Sequence, residues 1–509
     1  MSATDAPKDV VNAVKQPEKQ AWILEQLANG FVKLDNPKES PVQDLLDIPC
    51  GSGSTFSTFS GTGVTPGQKK MIWDFGGGSG YENMVAKGSH LVVQFASVTT
   101  TVVGGTPVTA SGVALPNGIS GLIDTFIVKV GTVVIHNIAN GFGLLKRKLT
   151  DLCASAEWIN GYGGVKAGYV LDPEFDGTVG SVANGTSLYG YRGFNKLYSN
   201  TAQSLRYQFD LLPNGFLDRY LPLGFLKPIH IELWLISDPS SVLGYNFSVA
   251  PTSVNVVVNT PSILLPVYMN KEMHDRVVAN FKGYYDDWDY TGKQIASGTS
   301  GLQQIPLNTS RISTSGLIGV FRPAADIIKN TNAGTDGTSY VLLDKMGQCS
   351  NLALGTYYFK YNNQQIPANA QLDGTNGITP YEMMEQFQHN YSSPLRDYNY
   401  AQNSGYYYSS MLQGGGGYPI PASGTASVPN PWFSAGFQGK QMGRFTLFHS
   451  FRADETILQG LRGKDGQNIL NVLLTVGANA TSVTLQADFF MRYDVFFSPT
   501  ASGGIVLDS

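Results

Sequence analysis

RYQFDLLPNGFLDRYLPLGFLKPIHIELWLISD, residues 206–238, reads as a strand, a tight apolar corner and a second, longer strand. In its first six residues Tyr207, Phe209 and Leu211 alternate with Gln208 and Asp210, the pattern of a half-buried strand. Pro213-Asn214-Gly215 is a turn, because Asn and Gly tolerate positive φ. Phe216 to Leu226 is an apolar loop with a second turn at Pro222 and Gly224. Alternation resumes at Ile229. Ile229, Ile231, Leu233 and Leu235 share one face, and His230, Glu232, Trp234 and Ile236 the other. Nothing in the stretch has the form of catalytic chemistry. It predicts the corner of a large β-sandwich.

The totals agree. With 509 residues the chain has room for two or three domains. It holds 58 Gly, 26 Tyr and 26 Phe, and only 14% of its residues are charged, against roughly 25% in an average domain. That balance suits an all-β protein rich in turns. It also suits a protein with much of its surface in subunit contacts, since interface cores are depleted in charge. A net charge of -4 gives no global basic field to point to nucleic acid. Cys50, Cys153 and Cys349 are odd in number and far apart, which argues against a disulfide framework or zinc site and for a reducing compartment. The first twenty residues lack the apolar core of a secretory signal, and no apolar run approaches the ~20 residues of a membrane span.

Along the chain, residues 1–46 read as an N-terminal arm. Trp22, Ile23, Leu27 and Phe31 fall roughly on one face of a short helix, and a disordered tail is the alternative. Residues 50–68 form a Gly/Ser/Thr loop without the Gly-Lys-Ser/Thr of a phosphate loop. Strands are expected at 70–75 and 91–97, a hairpin bent at Gly131 over 124–138, and a helix over 142–159 on Leu144, Leu145, Leu149, Leu152 and Ala156. Two strands follow the corner, at 253–258 and 262–269. A helical link covers 272–281, and strands lie at 311–322 and 356–361. A helix over 379–391 has Thr379 as its N-cap, Pro380 at its first position and Glu382 in its first turn. Strands at 443–450, 469–476, 481–487 and 489–497 complete the chain. Residues 160–200 and 392–432 are long loops.

The order of elements occurs twice. A hairpin, a helix, a long loop, a strand, a corner, a strong strand and two closing strands appear in each half, and Thr-Ser-Val recurs at 252 and 481. Two copies of one all-β unit is the economical reading. Eight short strands per unit make a jelly roll. The expected fold is therefore all-β, two tandem eight-stranded jelly rolls with short helices in the connections. The arm is 1–46, the first jelly roll 47–267 and the second 268–509.

Four runs carry a resemblance: IDTFIVKVGTVVIHNIANGFGLLKRKL (123–149), LDRYLPLGFLKPIHIELWL (217–235), YYFKYNNQQIPANAQLDGTNGITPYEMMEQF (357–387), and FHSFRADETILQGLRGKDGQNILNVLLTV (448–476) with DFFMRYDVFFSP (488–499). In this order the chain resembles the double jelly-roll major capsid proteins of tailless icosahedral double-stranded DNA viruses, those of virophages and polinton-like viruses in particular. The arm and the Gly-rich stretch 401–428 match nothing in that pattern. The resemblance implies a non-enzymatic, pseudo-hexameric homotrimeric capsomer that tiles an icosahedral virion shell and is assembled inside an infected host cell. It implies contacts with neighbouring capsomers, penton proteins and minor capsid or cement proteins. Helices and arm would face the genome or an internal membrane, and loops 160–200 and 392–432 would form outward towers.

There is no H-E-x-x-H and no G-x-S-x-G, so no catalytic, metal or cofactor-binding residue is assigned, and no cofactor or small-molecule substrate is expected. His90, His136, His230, His274, His389 and His449 lack metal spacing and are expected to be structural. Asp286, Asp287 and Asp289 are the densest carboxylates, and read as a solvated loop or cap rather than a cation site or glycosidase acid. Lys146, Arg147 and Lys148 read as a solvated helix face rather than an anion or nucleic-acid patch. Glu382 and Glu385 complement a helix dipole. Tyr406, Tyr407 and Tyr408 either stack on sugars or bases, or anchor a subunit contact. Arg444, Arg452 and Arg462 are placed to pair with carboxylates across a trimer interface. The rival reading is a carbohydrate-binding or carbohydrate-active two-sandwich protein for glycan attachment. A minor vertex protein of the same fold is a third.

Overall fold

The structure is a computed structural model. It describes residues 42–49, 51, 59–60, 70–103, 106–107, 113–114, 118–153, 203–208, 215–236, 244–249, 253–308, 311, 313–324, 334–335, 340–342, 349–350, 354–374, 378–389, 442–443, 446–452, 460–462, 469–477 and 484–508. The arm up to residue 41 and both long loops lie outside that set.

Among the described residues, eight strands of the first half have counterparts in the second. In the first they are β1 (Val42–Pro49), β2 (Lys70–Phe75), β3 (Val92–Val103), β4 (Ile123–Val130), β5 (Val133–Ile138), β6 (Gln203–Gln208), β7 (Ile229–Leu235) and β8 (Ser253–Met269). In the second they are β9 (Gly283–Ile295), β10 (Gly301–Asn308), β11 (Ser313–Pro323), β12 (Thr356–Tyr361), β13 (Gln364–Ile366), β14 (Thr446–Ser450), β15 (Ile469–Val476) and β16 (Leu485–Pro499). The first half pairs them as β1-β8-β3-β6 and β2-β7-β4-β5. The second pairs them as β9-β16-β11-β14 and β10-β15-β12-β13. Every pairing is antiparallel, and each second-half strand has the neighbours of its first-half counterpart. The repeat is thus one of topology, two jelly rolls in tandem. Short strands, among them Met84–Lys87 and Tyr220–Pro222, extend the first of these sheets. A further five-stranded sheet joins the halves, with Gly244–Val249 beside Tyr340–Leu342.

The strong alternation of the deciding stretch is realised. Ile229, Ile231, Leu233 and Leu235 of β7 are all buried, and β7 sits in the middle of its sheet between β2 and β4. On its other face Lys70 lies 5.7 Å from the Trp234 ring. β12 and β15 begin and end where expected. The buried side chains, including Trp73 and Trp288, form one contiguous apolar cluster through both halves.

Several expectations need correction. The closing strands are continuous. Residues 253–269 form the single strand β8, which runs through Pro261. On one side Phe95 of β3 lies opposite it; on the other, β1 covers only Ser262–Met269, so no β1 residue faces that proline, which has no N–H to offer. Likewise 485–499 is one strand, β16, rather than two. β1 begins inside the stretch read as arm and spans position 46, and β8 ends at Met269, past 267.

Among the described residues the α-helices are α1 (Phe142–Cys153), α2 (Lys271–Ala279) and α3 (Ile378–His389). Asn270 caps α2 by accepting the Met273 N–H at 2.8 Å. α3 starts at Ile378, which puts Thr379 inside the helix and leaves no acid in the first turn. Glu382 and Glu385 lie beyond it. In α1 every residue from Phe142 to Thr150 is buried. Lys146, Arg147 and Lys148 are 7%, 1% and 0% exposed, so they are not a solvated face.

Candidate functional site: a buried ionic junction between the halves

β9 brings the three aspartates of Tyr-Tyr-Asp-Asp-Trp-Asp-Tyr into a strand, not a solvated loop. Alternation sends Asp286 to one face and Asp287 to the other. Both are buried, at 1% and 3% exposure. A buried carboxylate costs several kcal/mol unless it is paired and hydrogen-bonded, and each of these is.

Asp287 lies opposite Tyr493 in the β9–β16 ladder and accepts its hydroxyl at 2.7 Å. It also accepts the Trp288 N–H at 2.9 Å and a bond from His136 Nδ1 at 2.9 Å. His136 belongs to β5, in the other half of the chain. Its Nε2 accepts the Phe216 N–H at 3.2 Å, so the ring proton sits on Nδ1 and is donated to Asp287. Burial, then the Asp287 charge, pushes the Tyr493 hydroxyl far up and keeps it a donor. Tyr285 donates to the Ile135 carbonyl at 2.9 Å and meets His136 edge-on at 5.0 Å between ring centres. Beside this chain of bonds Asp289 takes both arms of the Arg311 guanidinium at 2.9 Å, and Arg311 lies 4.1 Å from the Tyr493 ring.

Asp286 lies opposite Asp494 on the other face. Arg452, just after β14, holds both: its Nη2 contacts Asp286 at 3.3 Å and donates a short bond to Asp494. Ser313 donates to Asp494 at 2.6 Å. Arg492, wholly buried, donates Nε to the Ser315 hydroxyl at 3.0 Å and packs on Phe387 of α3. Burial pushes the Asp286 carboxyl up to about 6; Arg492 and Arg452 oppose the rise, and Asp494 adds to it. Arg452 was expected across a trimer interface, yet the carboxylates it holds belong to its own chain.

The deciding corner supplies the rest of the junction. Phe216 meets Phe281, Tyr285 and Phe497 edge-on, with ring centres 5.9, 5.8 and 5.3 Å apart. Arg219 donates to the carbonyls of Phe216 and Tyr284 at 2.9 and 3.0 Å and lies 4.4 Å from the Phe497 ring. Burial lowers it to about 10, so it stays charged at neutral pH. Lys227 N–H donates to Gly503 O at 2.9 Å, which fastens the C-terminal hairpin of β16 and Ile505–Asp508 to the same corner. Gly503 has φ +76, and a Cβ there would lie 1.9 Å from the Phe225 carbonyl.

Of the other residues singled out, His230 bridges Asp74 at 2.8 Å and Glu232 at 3.4 Å on the outer face of β7. His449 lies between Phe359 and Phe451, with ring centres 4.4 and 4.8 Å away, and burial lowers it to about 4. His90 is exposed beside Ser89, and His274 stands 3.5 Å from Asp275. His389 ends α3, and Arg462 pairs in the backbone ladder with Ser313. Arg444 and Tyr406–Tyr408 lie outside the described residues. Among the described residues no group of three or more His, Cys, Asp or Glu could hold a metal ion. No described helix is long and apolar enough to cross a membrane. Sequence reasoning missed β9 as a strand. The signal was there in the alternation of Tyr285, Asp287 and Asp289 against Tyr284, Asp286 and Trp288, with Arg452 and Arg492 as distant countercharges.

No family model matches the chain, and no curated protein matches it in sequence. Solved structures do match in fold. A chain from the cryo-EM structure of the Sputnik virophage aligns with TM-score 0.54 at 13% identity, over 94% of this chain and 93% of that one. VP54 of PBCV-1, fitted into a reconstruction of the same virophage, aligns with TM-score 0.50 at 12% identity, over 94% and 99%. The mavirus major capsid protein aligns with TM-score 0.48 at 11% identity, over 94% and 92%. The chain therefore has, along nearly its whole length, the double jelly-roll fold of a Sputnik virophage chain.

Proposed function

We propose that this chain is a major capsid protein, a building block of an icosahedral virion shell. The observation that carries the reading is the end-to-end fold match: both jelly rolls, in order, align with a chain of the Sputnik virophage particle over more than nine-tenths of each chain. A local resemblance between sandwiches would cover one half. The active unit is a homotrimer. Two jelly rolls per chain give three copies six upright sandwiches, hence a pseudo-hexagonal outline that tiles a shell beside identical neighbours, pentons and minor or cement proteins. The arm reaches the genome or an underlying membrane.

The buried junction fits such a role. A tiling subunit acts through repeated interfaces, which need the two rolls held at a fixed angle. The Asp287–His136 bond and the Phe216 cluster supply that rigidity within each copy. The chain is read as non-enzymatic, with burial and self-association as its mechanism. The test is the native mass of the purified protein, followed by electron microscopy. Three copies that resist dilution and pseudo-hexagonal particles support the reading. A clean monomer at micromolar concentration overturns it.

A further inference from the structure

The junction joins two unlike surfaces, and a counterpart of each is left open elsewhere on the chain. We propose that the junction is made a second time, between copies: the β12–β13 hairpin of one chain seats against β1 and the end of β8 of the next. This deepens the trimer reading above and rests on it.

Within the chain, the β4–β5 hairpin of the first roll lies against the start of β9 and the end of β16. His136 of β5 bonds Asp287, and Tyr285 bonds the Ile135 carbonyl, both at 2.9 Å. The hairpin bend, Gly131, donates its N–H to the Pro228 carbonyl at 2.8 Å, and the adjoining Lys227 reaches Gly503, just past β16. Under this cover alternate residues of β16 stay buried to its end, with Tyr493, Val495 and Phe497 at 4%, 2% and 4% exposure. Phe497 lies opposite Gly283, the first residue of β9.

The counterparts of both surfaces are open. In the first roll β1 and β8 hold the places of β9 and β16. Met269 lies opposite Val42, the first residue of β1, as Phe497 lies opposite Gly283. Ile263, Leu265 and Val267 are 0% exposed, but Met269, next on the same face, is 46% exposed. Asp44 of β1 is exposed, whereas Tyr285 and Asp287 of β9 are buried. In the second roll the β12–β13 hairpin holds the place of β4–β5. Val128 pairs with His136 and Phe359 with Ile366, each two residues before its two-residue bend, so Ile366 stands where His136 does. Ile366 is only half-buried, and Asn362, Asn363 and Gln364 at the bend are exposed. Among the described residues no hydrogen bond, ion pair or ring contact joins this hairpin, β1 or Met269 to the opposite half.

A second copy of the chain is the occupant that fits both openings. A contact between unlike surfaces is heterologous, and it makes a ring when its rotation closes. The internal junction uses the hairpin side of the first roll and the strand side of the second. What remains is the strand side of the first roll and the hairpin side of the second, the same two kinds of surface. Copies therefore join head to tail, and three of them bring six rolls back to the start. The contact between chains is apolar where the internal one is ionic, with Ile366 and Met269 in the places of His136 and Phe497.

The test is cross-linking of the trimer assembled from a mixture of heavy-isotope-labelled and unlabelled chains. Lys360 lies in the hairpin, and Lys271 follows the end of β8 and is exposed. A lysine cross-linker is expected to join Lys360 to Lys271 in peptide pairs that combine a labelled with an unlabelled chain. Absence of that link between chains overturns the proposal. So does Lys271 joined only to Lys33 or Lys38 of its own copy, which makes the arm the occupant. Met269→Lys, at an exposed position, is expected to move the dissociation midpoint of the trimer to roughly tenfold higher concentration or more. An unchanged midpoint overturns the proposal while the trimer stands. If that variant does not fold, the cross-links decide. A wild-type chain that stays single in light scattering overturns the trimer reading itself, and this inference with it.

Discussion

Replacing His136 by Ala should loosen the two halves from each other, and the structure sets the size of the effect. The imidazole is 2% exposed. Its loss removes a bond to the buried Asp287 carboxylate, worth about 1.5–3 kcal/mol for a charged partner, and orphans the Phe216 N–H, at about 1–3 kcal/mol. It also removes ring contacts to Phe126 and Tyr285, centred 5.9 and 5.0 Å away, each worth about 0.5–1.5 kcal/mol. These contributions overlap, because Asp287 keeps Tyr493 and the Trp288 N–H, and the net cost is roughly 3–5 kcal/mol. The informative experiment is a cycle of His136→Ala, Asp287→Asn and the double variant. Each is unfolded in urea and read by tryptophan fluorescence, for which the adjacent Trp288 is a natural reporter. A coupling of about 1–3 kcal/mol is expected for groups in direct contact. Additive single effects, within about 0.5 kcal/mol, would refute the claim that this bond ties β5 to β9.

Three further outcomes follow from named contacts. Arg452→Met strands two carboxylates without their shared cation, and should cost about 3–5 kcal/mol at pH 7 and less at pH 5, where a proton relieves one of them; chemical denaturation at the two pH values checks both size and trend. Gly503→Ala forces a left-handed backbone and a Cβ into the Phe225 carbonyl, a strain of about 1–3 kcal/mol, and should release the tail hairpin. Hydrogen exchange at 498–508 should then rise while β7 stays protected. Asn270→Ala removes the cap on α2 and should lower stability by about 1 kcal/mol, visible as a drop in the thermal midpoint.

The sandwich was legible wherever apolar and polar residues alternate. β7, β12 and β15 stand at or within a residue of their expected bounds, since a central strand must bury one face whatever surrounds it. The repeat was legible for the same reason, although the halves share little more than a triplet in letters. Reading failed where burial is bought with ion pairs. Asp286 and Asp287 sit at core positions because Arg452 and His136 reach them from 166 and 151 residues away, and Asp494 because Ser313 and Arg452 reach it from 181 and 42. No local pattern shows such a partner. The same holds for Lys146, Arg147 and Lys148, whose charges argue for solvent while α1 is enclosed. The break expected near Pro261 failed for a different reason. A proline interrupts a strand only where a neighbour needs its N–H, and that depends on which strands pair beside it.

The central claim is that this double jelly roll is the repeating unit of a shell, and the native mass of the purified chain in solution tests it most directly. Light scattering across a hundredfold dilution should hold at three times 54.9 kDa, with pseudo-hexagonal particles in the electron microscope. A mass of one chain throughout the series would contradict it.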